Sequence, residues 1–280
     1  MVNTMKLREL LYLLGFRRPR TQVYGHEIVT VDLPRDGQVR LARWLHPVCL
    51  DDRWTVHQDR VDALRTFLRP GDVVLDIGAW QGDTALPYGL AVGTSGAVLA
   101  FEPNRYIFPV LAANAELNRD KVRIIPCMYA AAPKAGTLTF EYGDPSFNNG
   151  GRHEGISKWR HGSVFELQVQ AVRVEDFLQA NHPELIDRIR FVKIDAEGFD
   201  KFIVESIRGL IERTRPFLLV DVNKHTSRDQ RLELLGLLLG LGYRVERVLS
   251  DTNFHGDQIT DDNLITWKHY DVFCTPKQGT

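Results

Sequence analysis

Carboxylates and glycines recur at three points where an apolar run stops. Asp76-Ile77-Gly78-Ala79-Trp80-Gln81-Gly82-Asp83-Thr84 closes the run that begins at Val73. Glu102-Pro103-Asn104 follows Ala97 to Phe101, and Asp195-Ala196-Glu197-Gly198 follows Arg190 to Ile194. A glycine turn between a strand and a helix is where α/β sheets hold nucleotides. The dinucleotide fingerprint G-x-G-x-x-G is not met, because Trp80 stands where the second glycine admits a pyrophosphate. Asp76 in the loop mouth suits a cationic ligand better than a diphosphate. Glu102, at the end of the next strand, is placed to accept two ribose hydroxyls. S-adenosylmethionine carries an ammonium and a sulfonium and no phosphate, and it meets both demands. The candidate cofactor contacts are Asp76, Gly78, Ala79, Trp80, Gln81, Gly82, Asp83 and Thr84, then Glu102, Pro103 and Asn104. Tyr129 and Ala130, past a third strand, are candidates to line the base.

Methyl transfer from a sulfonium to a hydroxyl is an in-line displacement, and the hydroxyl must lose its proton to a group within hydrogen-bond reach. Asp195 is the first candidate to face the methyl group, orienting the acceptor or holding the methionine ammonium. Glu197 is next, as a base or as a structural group. His225 offers an imidazole, a group that titrates near ~6.5 and suits a base at neutral pH. Lys193, inside a buried strand, reads as a paired charge and not a nucleophile. A divalent ion held by Asp195 with Asp221 or Asn223 is a second route to an acidified hydroxyl. No run of adjacent acids supports it, so metal-independent chemistry is preferred.

These residues need strands that end together. Pro70-Gly71 introduces the first strand, and Asp83 or Thr84 is expected to cap a helix from Ala85 to about Val92. Helices are predicted at Val61 to Leu68, Tyr106 to Asn118, Val174 to Gln179, Lys201 to Ile211 and Gln230 to Leu241 from apolar residues at helical spacing. Further strands are predicted at Val122 to Pro126, Pro216 to Val222, Tyr243 to Leu249 and Tyr270 to Thr275. Val23 to Val31 and Val39 to Leu45, around the turn Pro34-Arg35-Asp36-Gly37, read as a hairpin. His46, Asp51, Asp52 and His57 match no metal-ligand spacing and read as surface polarity. Thr137 to Tyr142 and Val164 to Val172 alternate and are expected to pair across a long connection, residues 143–162. Connections of that length are functional or disordered. Its Asn148, Asn149, His153, Trp159 and His161 suit a polyhydroxylated ligand, and with Asn223 they form the candidate acceptor contacts.

The three blocks together, Asp76 to Thr84, Phe101-Glu102-Pro103-Asn104 and Val192-Lys193-Ile194-Asp195-Ala196-Glu197-Gly198, resemble the FkbM family of S-adenosylmethionine-dependent methyltransferases. The resemblance spans about residues 70–245, and the last block is its most specific part. Trp80 departs from it, since the family commonly has a small or amide side chain there. The resemblance implies a Rossmann-like class I α/β fold with a mostly parallel seven-stranded sheet, one strand antiparallel, and helices on both faces. It also implies O-methylation, often of sugars or of hydroxyls on secondary metabolites.

The chain of 280 residues carries 35 basic and 36 acidic residues, a formal net charge of -1, which gives no electrostatic case for nucleic-acid binding. The Asn/Asp-Pro-Pro-Tyr motif used on base amines is also missing. The three cysteines, Cys49, Cys127 and Cys274, form neither a disulfide framework nor a metal pattern, so a reducing, cytoplasmic location is expected. No apolar run reaches the length of a membrane span. Met5 to Arg20 reads as a short Leu-rich helix packed on the domain; peripheral membrane contact is its alternative. The expected organisation is a helix and β-hairpin cap over 1–69 and a methyltransferase domain over 70–280 with an inserted acceptor loop at 143–162. The expected reaction is O-methylation of a sugar or glycoconjugate. Alternatives are a polyketide or other small metabolite as acceptor, or a non-catalytic ligand-binding protein.

Overall fold

The computed structural model describes residues 21–47, 49, 54–142, 150–151 and 165–277. The expected N-terminal helix, Asp51, Asp52 and the five acceptor-loop candidates lie outside them. The central sheet is built from β3 (Val73–Ile77), β4 (Ala97–Phe101), β5 (Ile124–Cys127), β10 (Ile189–Ile194), β11 (Phe217–Val222), β12 (Tyr243–Arg247) and β13 (Tyr270–Pro276). Their order is β12-β13-β11-β10-β3-β4-β5, a seven-stranded sheet in which only β13 runs antiparallel to its neighbours. Every residue of β3 and β4 is buried, which is why both read as unbroken apolar runs.

Both faces are covered. On one lie α1 (Gln58–Leu64), α2 (Ala85–Val92) and α3 (Phe108–Leu117), packed on Val74, Val98, Phe191 and Phe273. On the other lie α4 (Val174–Asn181), α5 (Asp200–Ser206), α6 (Arg208–Thr214) and α7 (Arg228–Gly240), packed on Leu75, Leu99, Val192 and Val220. The strand order reverses between β3 and β10, and ligands of open α/β sheets bind at such a switch point.

Three local expectations change. The helix expected over Lys201 to Ile211 breaks at Ile207 (φ −109°) into α5 and α6. Ile203, Ile207 and Ile211 are all buried, so the apolar spacing runs through the break and hides it. The helix expected from Val61 begins at Gln58 and gives way to turns after Leu64. Neither Asp83 nor Thr84 caps α2 through its side chain, because the Thr84 hydroxyl is spent on Asp76.

The hairpin β1 (His26–Leu33) and β2 (Gly37–Trp44) packs on α3 through side-chain amides. Asn118 accepts from Arg40 N at 3.0 Å and donates to Arg40 O at 2.7 Å. Asn114 does the same to Ala42, at 2.8 and 2.9 Å, and also donates to Gln81 O at 2.7 Å. Gln81 Oε1 accepts from Trp44 N at 3.0 Å. A strand edge that would otherwise strand its backbone groups inside the protein is thereby satisfied. His46 is not the surface residue expected: it is 4% exposed, stacked on Trp44 at 4.6 Å with Tyr24 edge-on at 4.9 Å.

The second expected pairing forms β7 (Gly136–Tyr142) antiparallel to β9 (Phe165–Val172), with β6 (Ala130–Ala131) and β8 (Gly150–Gly151) completing a four-stranded sheet. Its outer face carries Thr–Gln pairs, with Gln168 donating to Thr139 at 2.7 Å. Leu138, Phe140 and Tyr142 turn the other way, toward the ends of the central strands. Among the described residues no helix is long and apolar enough to cross a membrane.

Candidate active site

A cleft of about 330 Å³ opens over the carboxyl ends of β3, β4 and β10. That is within the roughly 300–1,000 Å³ span of small-molecule sites. The loop after β3 forms its floor. Gly78 has φ +81°, and both Gly78 N and Ala79 N donate to Phe101 O at 3.0 Å. Trp80 follows in the left-handed region (φ +46°), which is costly for a residue with a Cβ and is held here from outside. Its N–H donates to Glu102 Oε2 at 3.0 Å, while Asn104 N donates to Oε1 at 2.8 Å. Glu102 is therefore fixed by two backbone donors with acceptor capacity left on each oxygen. Burial pushes its carboxyl up to about 7, against those two hydrogen bonds.

Opposite stands the loop after β10. Asp195 N donates to Ile77 O at 3.1 Å, tying β10 to β3. The turn behind it is clipped by Asp200, whose two oxygens accept from Ala196 N at 2.8 Å and Gly198 N at 2.9 Å. Burial raises the Asp200 carboxyl well above its ordinary value, and Asp221 adds to the rise. Glu197 sits at φ +52° with Oε2 accepting from Asn223 Nδ2 at 3.0 Å. Asp195 is left 48% exposed at the cleft. Lys193 lies between the two loops. Its Nζ donates to Gly78 O at 2.6 Å and is 3.5 Å from Asp76 Oδ1. Burial alone would lower its pKa, and the carboxylates of Asp76 and Asp195 reverse that and raise it.

Of the cofactor candidates, Gly78, Trp80, Asp83, Thr84, Glu102, Pro103, Asn104, Tyr129 and Ala130 line the cleft. Four do not present side chains to it. Ala79 is wholly buried, and Gln81 faces β2. Gly82 (φ +94°) makes room for α3, where a Cβ would come 3.1 Å from Leu111. Asp76 is buried behind the floor, where Thr84 Oγ1 donates to Oδ2 at 2.7 Å and Oδ1 has no hydrogen-bond partner. It serves as the counter-charge of Lys193, in place of the direct ligand contact expected.

Among the catalytic candidates, Asp195 and Glu197 line the cleft, whereas His225 is exposed on the turn after β11 and outside the lining. Asn223 also lies outside it and holds Glu197 and the His225 backbone. Asp221, offered as a metal ligand, pairs with His269 Nε2 at 2.5 Å. Among the described residues no three His, Cys, Asp or Glu side chains gather as a metal-binding set. Phe199, Ile203 and the Leu138-Phe140-Tyr142 face line the cleft without having been expected there, and Asp200, buried behind the β10 loop, was not expected either. For Asp200 a signal existed: a carboxylate three residues past Glu197, where a helix begins.

Burial also lifts Asp83 to about 6 and Asp221 to about 8, both above ordinary Asp values. At pH 5 the native state therefore holds protons at Glu102 and Asp221 that the unfolded chain has lost, and it gives them up as pH rises to 8.5. Stability should fall through that window, by on the order of 6 kcal/mol. Urea midpoints at pH 5 and 8.5 measure this, and Asp221→Asn should flatten the slope. A midpoint that climbs toward pH 8.5 would contradict these burial effects.

Residues 76–245 match the Methyltransferase FkbM domain. No curated protein matches the chain. Among solved structures, the fold is similar to methyltransferase FkbM from Methylobacillus flagellatus (16% identity, TM-score 0.48). That match covers 74% of this chain, which spans only 44% of the Methylobacillus protein. It is also similar to Aeropyrum pernix fibrillarin with bound S-adenosyl-L-methionine (12% identity, TM-score 0.45, covering 92% and 96% of the two chains). A third is a SAM-dependent O-methyltransferase from Thermotoga maritima (14% identity, TM-score 0.42, covering 95% and 82%).

Proposed function

Because the chain belongs to the FkbM methyltransferase family, we propose that it transfers the methyl group of S-adenosylmethionine to a hydroxyl of a sugar or glycoconjugate. The observation that carries this reading is one cleft with the doubly anchored Glu102 on one wall and the half-exposed Asp195 on another. The residues fit the cofactor. Glu102 would accept the ribose diol. Tyr129, Leu138 and Phe140 would flank the base. The floor at Gly78 admits close approach, since Gly78 carries no Cβ and is held at φ +81°. When bound, S-adenosylmethionine supplies a methyl group on a sulfonium. The chain then has to orient the acceptor oxygen and take its proton. We assign that role to Asp195, which is half-exposed in the cleft, while Glu197 is engaged with Asn223.

The sugar acceptor rests on the amides, imidazoles and indole of residues 143–162. A polyketide or similar apolar metabolite is the second reading, favoured by Tyr142 and Trp80 in the cleft lining. Cys127 and Cys274 are buried free thiols, which supports a cytoplasmic location.

Calorimetric titration with S-adenosylhomocysteine, with and without EDTA, tests the cofactor assignment. Binding that ignores EDTA is expected, and no binding would overturn it in favour of a non-catalytic ligand-binding protein. Asp195→Asn should cut turnover by about 10²–10⁴-fold with cofactor affinity kept. Normal turnover would remove Asp195 from the chemistry.

A further inference from the structure

Trp80 is an unusual residue for the backbone it occupies. Gly82 N donates to Ala79 O at 2.8 Å and closes a four-residue turn with Trp80 and Gln81 at its centre. Trp80 holds φ +46° at the first central position, a conformation that glycine, asparagine and aspartate adopt readily and a tryptophan does not. Such a residue persists only where its surroundings over-determine it. On one side, Ala79 N is bonded to Phe101 O. On the other, Gln81 is gripped twice. Asn114 Nδ2 donates to its carbonyl at 2.7 Å, and Trp44 N donates to its Oε1 at 3.0 Å. Gln81 is 0% exposed, and its Nε2 is buried without a hydrogen-bond partner. An unpaired buried donor is unfavourable. An apolar side chain of the same shape would avoid it, but would offer nothing to the Trp44 backbone amide.

We propose that Gln81 is a positioning residue for the cofactor, tying the glycine loop to β2 of the hairpin so that the left-handed Trp80 offers its N–H to Glu102. This rests on the ribose role of Glu102 given above, and it gives Gln81 a part in binding without a contact to the ligand. The line of bonds is continuous. It runs from Trp44 N to Gln81 Oε1, along the chain to Trp80, and from Trp80 N to Glu102 Oε2. Relaxing Trp80 to a negative φ turns the Ala79–Trp80 peptide relative to Gln81. With both sides anchored, the N–H stays on the carboxylate. With Gln81 released, the turn is free to open, and Glu102 keeps only its bond from Asn104 N.

The test is calorimetric titration with S-adenosylhomocysteine across a double-mutant cycle. Gln81→Met keeps the bulk and removes the acceptor, while Trp80→Gly lets the backbone adopt its positive φ freely. Gln81→Met should weaken binding by about tenfold or more in the wild-type background, and by less than about threefold in the Trp80→Gly background. A merely structural glutamine would cost the same factor in both. An equal factor, or none in either, overturns the proposal. Asn118→Leu is the control, since Asn118 grips Arg40 farther along the same hairpin strand. It should loosen the hairpin and leave affinity within about threefold of wild type. A loss there as large as that of Gln81→Met would also overturn the proposal, because any loosening of the hairpin would then suffice.

If Gln81→Met does not fold, hydrogen exchange in the wild type carries the test. Saturating S-adenosylhomocysteine should slow the Trp44 backbone amide, which lies outside the cleft lining, by about tenfold or more together with that of Trp80. An unchanged Trp44 amide overturns the proposal. A wild type that binds no S-adenosylhomocysteine removes the proposed function and this inference with it. A wild type that binds without the coupling removes this inference alone.

Discussion

Gly78→Ala should abolish S-adenosylhomocysteine binding and destabilise the fold by roughly 3–5 kcal/mol. Two physical costs add. Gly78 has φ +81°, a conformation that L side chains rarely adopt. An added Cβ would also fall 2.0 Å from the Asp195 carbonyl oxygen and 3.1 Å from its carbonyl carbon. Both neighbours are backbone, so no rotamer change relieves the clash. The β3 and β10 loops would have to separate, breaking the bonds from Asp195 N to Ile77 O and from Lys193 to Gly78 O. Urea denaturation and calorimetry read the two losses. Gly236→Ala in α7 is the control, since its Cβ would meet nothing within 4 Å. A Gly78→Ala protein that binds with wild-type affinity would mean the floor is not the cofactor's.

Arg231→Lys should cost about 3–5 kcal/mol, and the retained charge should not rescue it. Arg231 is 7% exposed and sits in the first turn of α7, the end where the helix dipole disfavours a cation. It is kept there by geometry. Nε donates to Thr226 Oγ1 at 3.1 Å. One terminal nitrogen donates to Leu264 O and Trp267 O at 3.0 and 2.8 Å, and the other to Asn223 O and Lys268 O at 3.3 and 2.7 Å. Every guanidinium N–H is thus used. A lysine has three donors and no fork, so at least two buried acceptors would lose their partner, at about 1–3 kcal/mol each. The same bonds tether the end of β11, which carries Asn223, to the segment leading into β13. Chemical denaturation measures the loss; a midpoint within 0.5 kcal/mol of wild type would show that the carbonyls find water instead.

Much of this architecture is legible in the sequence. β3, β4 and α2 begin and end as the apolar runs and turn residues indicate, because strands buried on both faces leave no polar interruptions. The pairing of β7 with β9 followed from alternation alone. Other features were hidden for stated reasons. The loop at 78–84 has two sides, and one-dimensional spacing cannot say that Ala79, Gln81 and Gly82 face away while Trp80 and Thr84 face in. His225 looked suitable by chemical type and strand-end position, but the turn after β11 carries it to the surface. Asn114 and Asn118 look like a polar helix face; both are buried, at 0% and 2% exposure, because their partner is a strand edge distant in sequence.

That amide contact also sets a limit on its own length. Asn114 and Asn118 are one helical step of four residues apart, an axial rise of about 6.0 Å. Arg40 and Ala42 are one strand step of two, about 6.6–6.8 Å. The two repeats are nearly commensurate, so one helix can grip two rungs of a strand with ordinary hydrogen bonds. The mismatch of roughly 0.6–0.8 Å per rung accumulates, and a third rung taken from the same helix would be stretched beyond a good bond. Here the next rung, at Trp44, is supplied by Gln81 from the cofactor-side loop. The vernier between helix and strand therefore runs out where that loop takes over, and the register of the N-terminal hairpin is locked to the floor of the cleft.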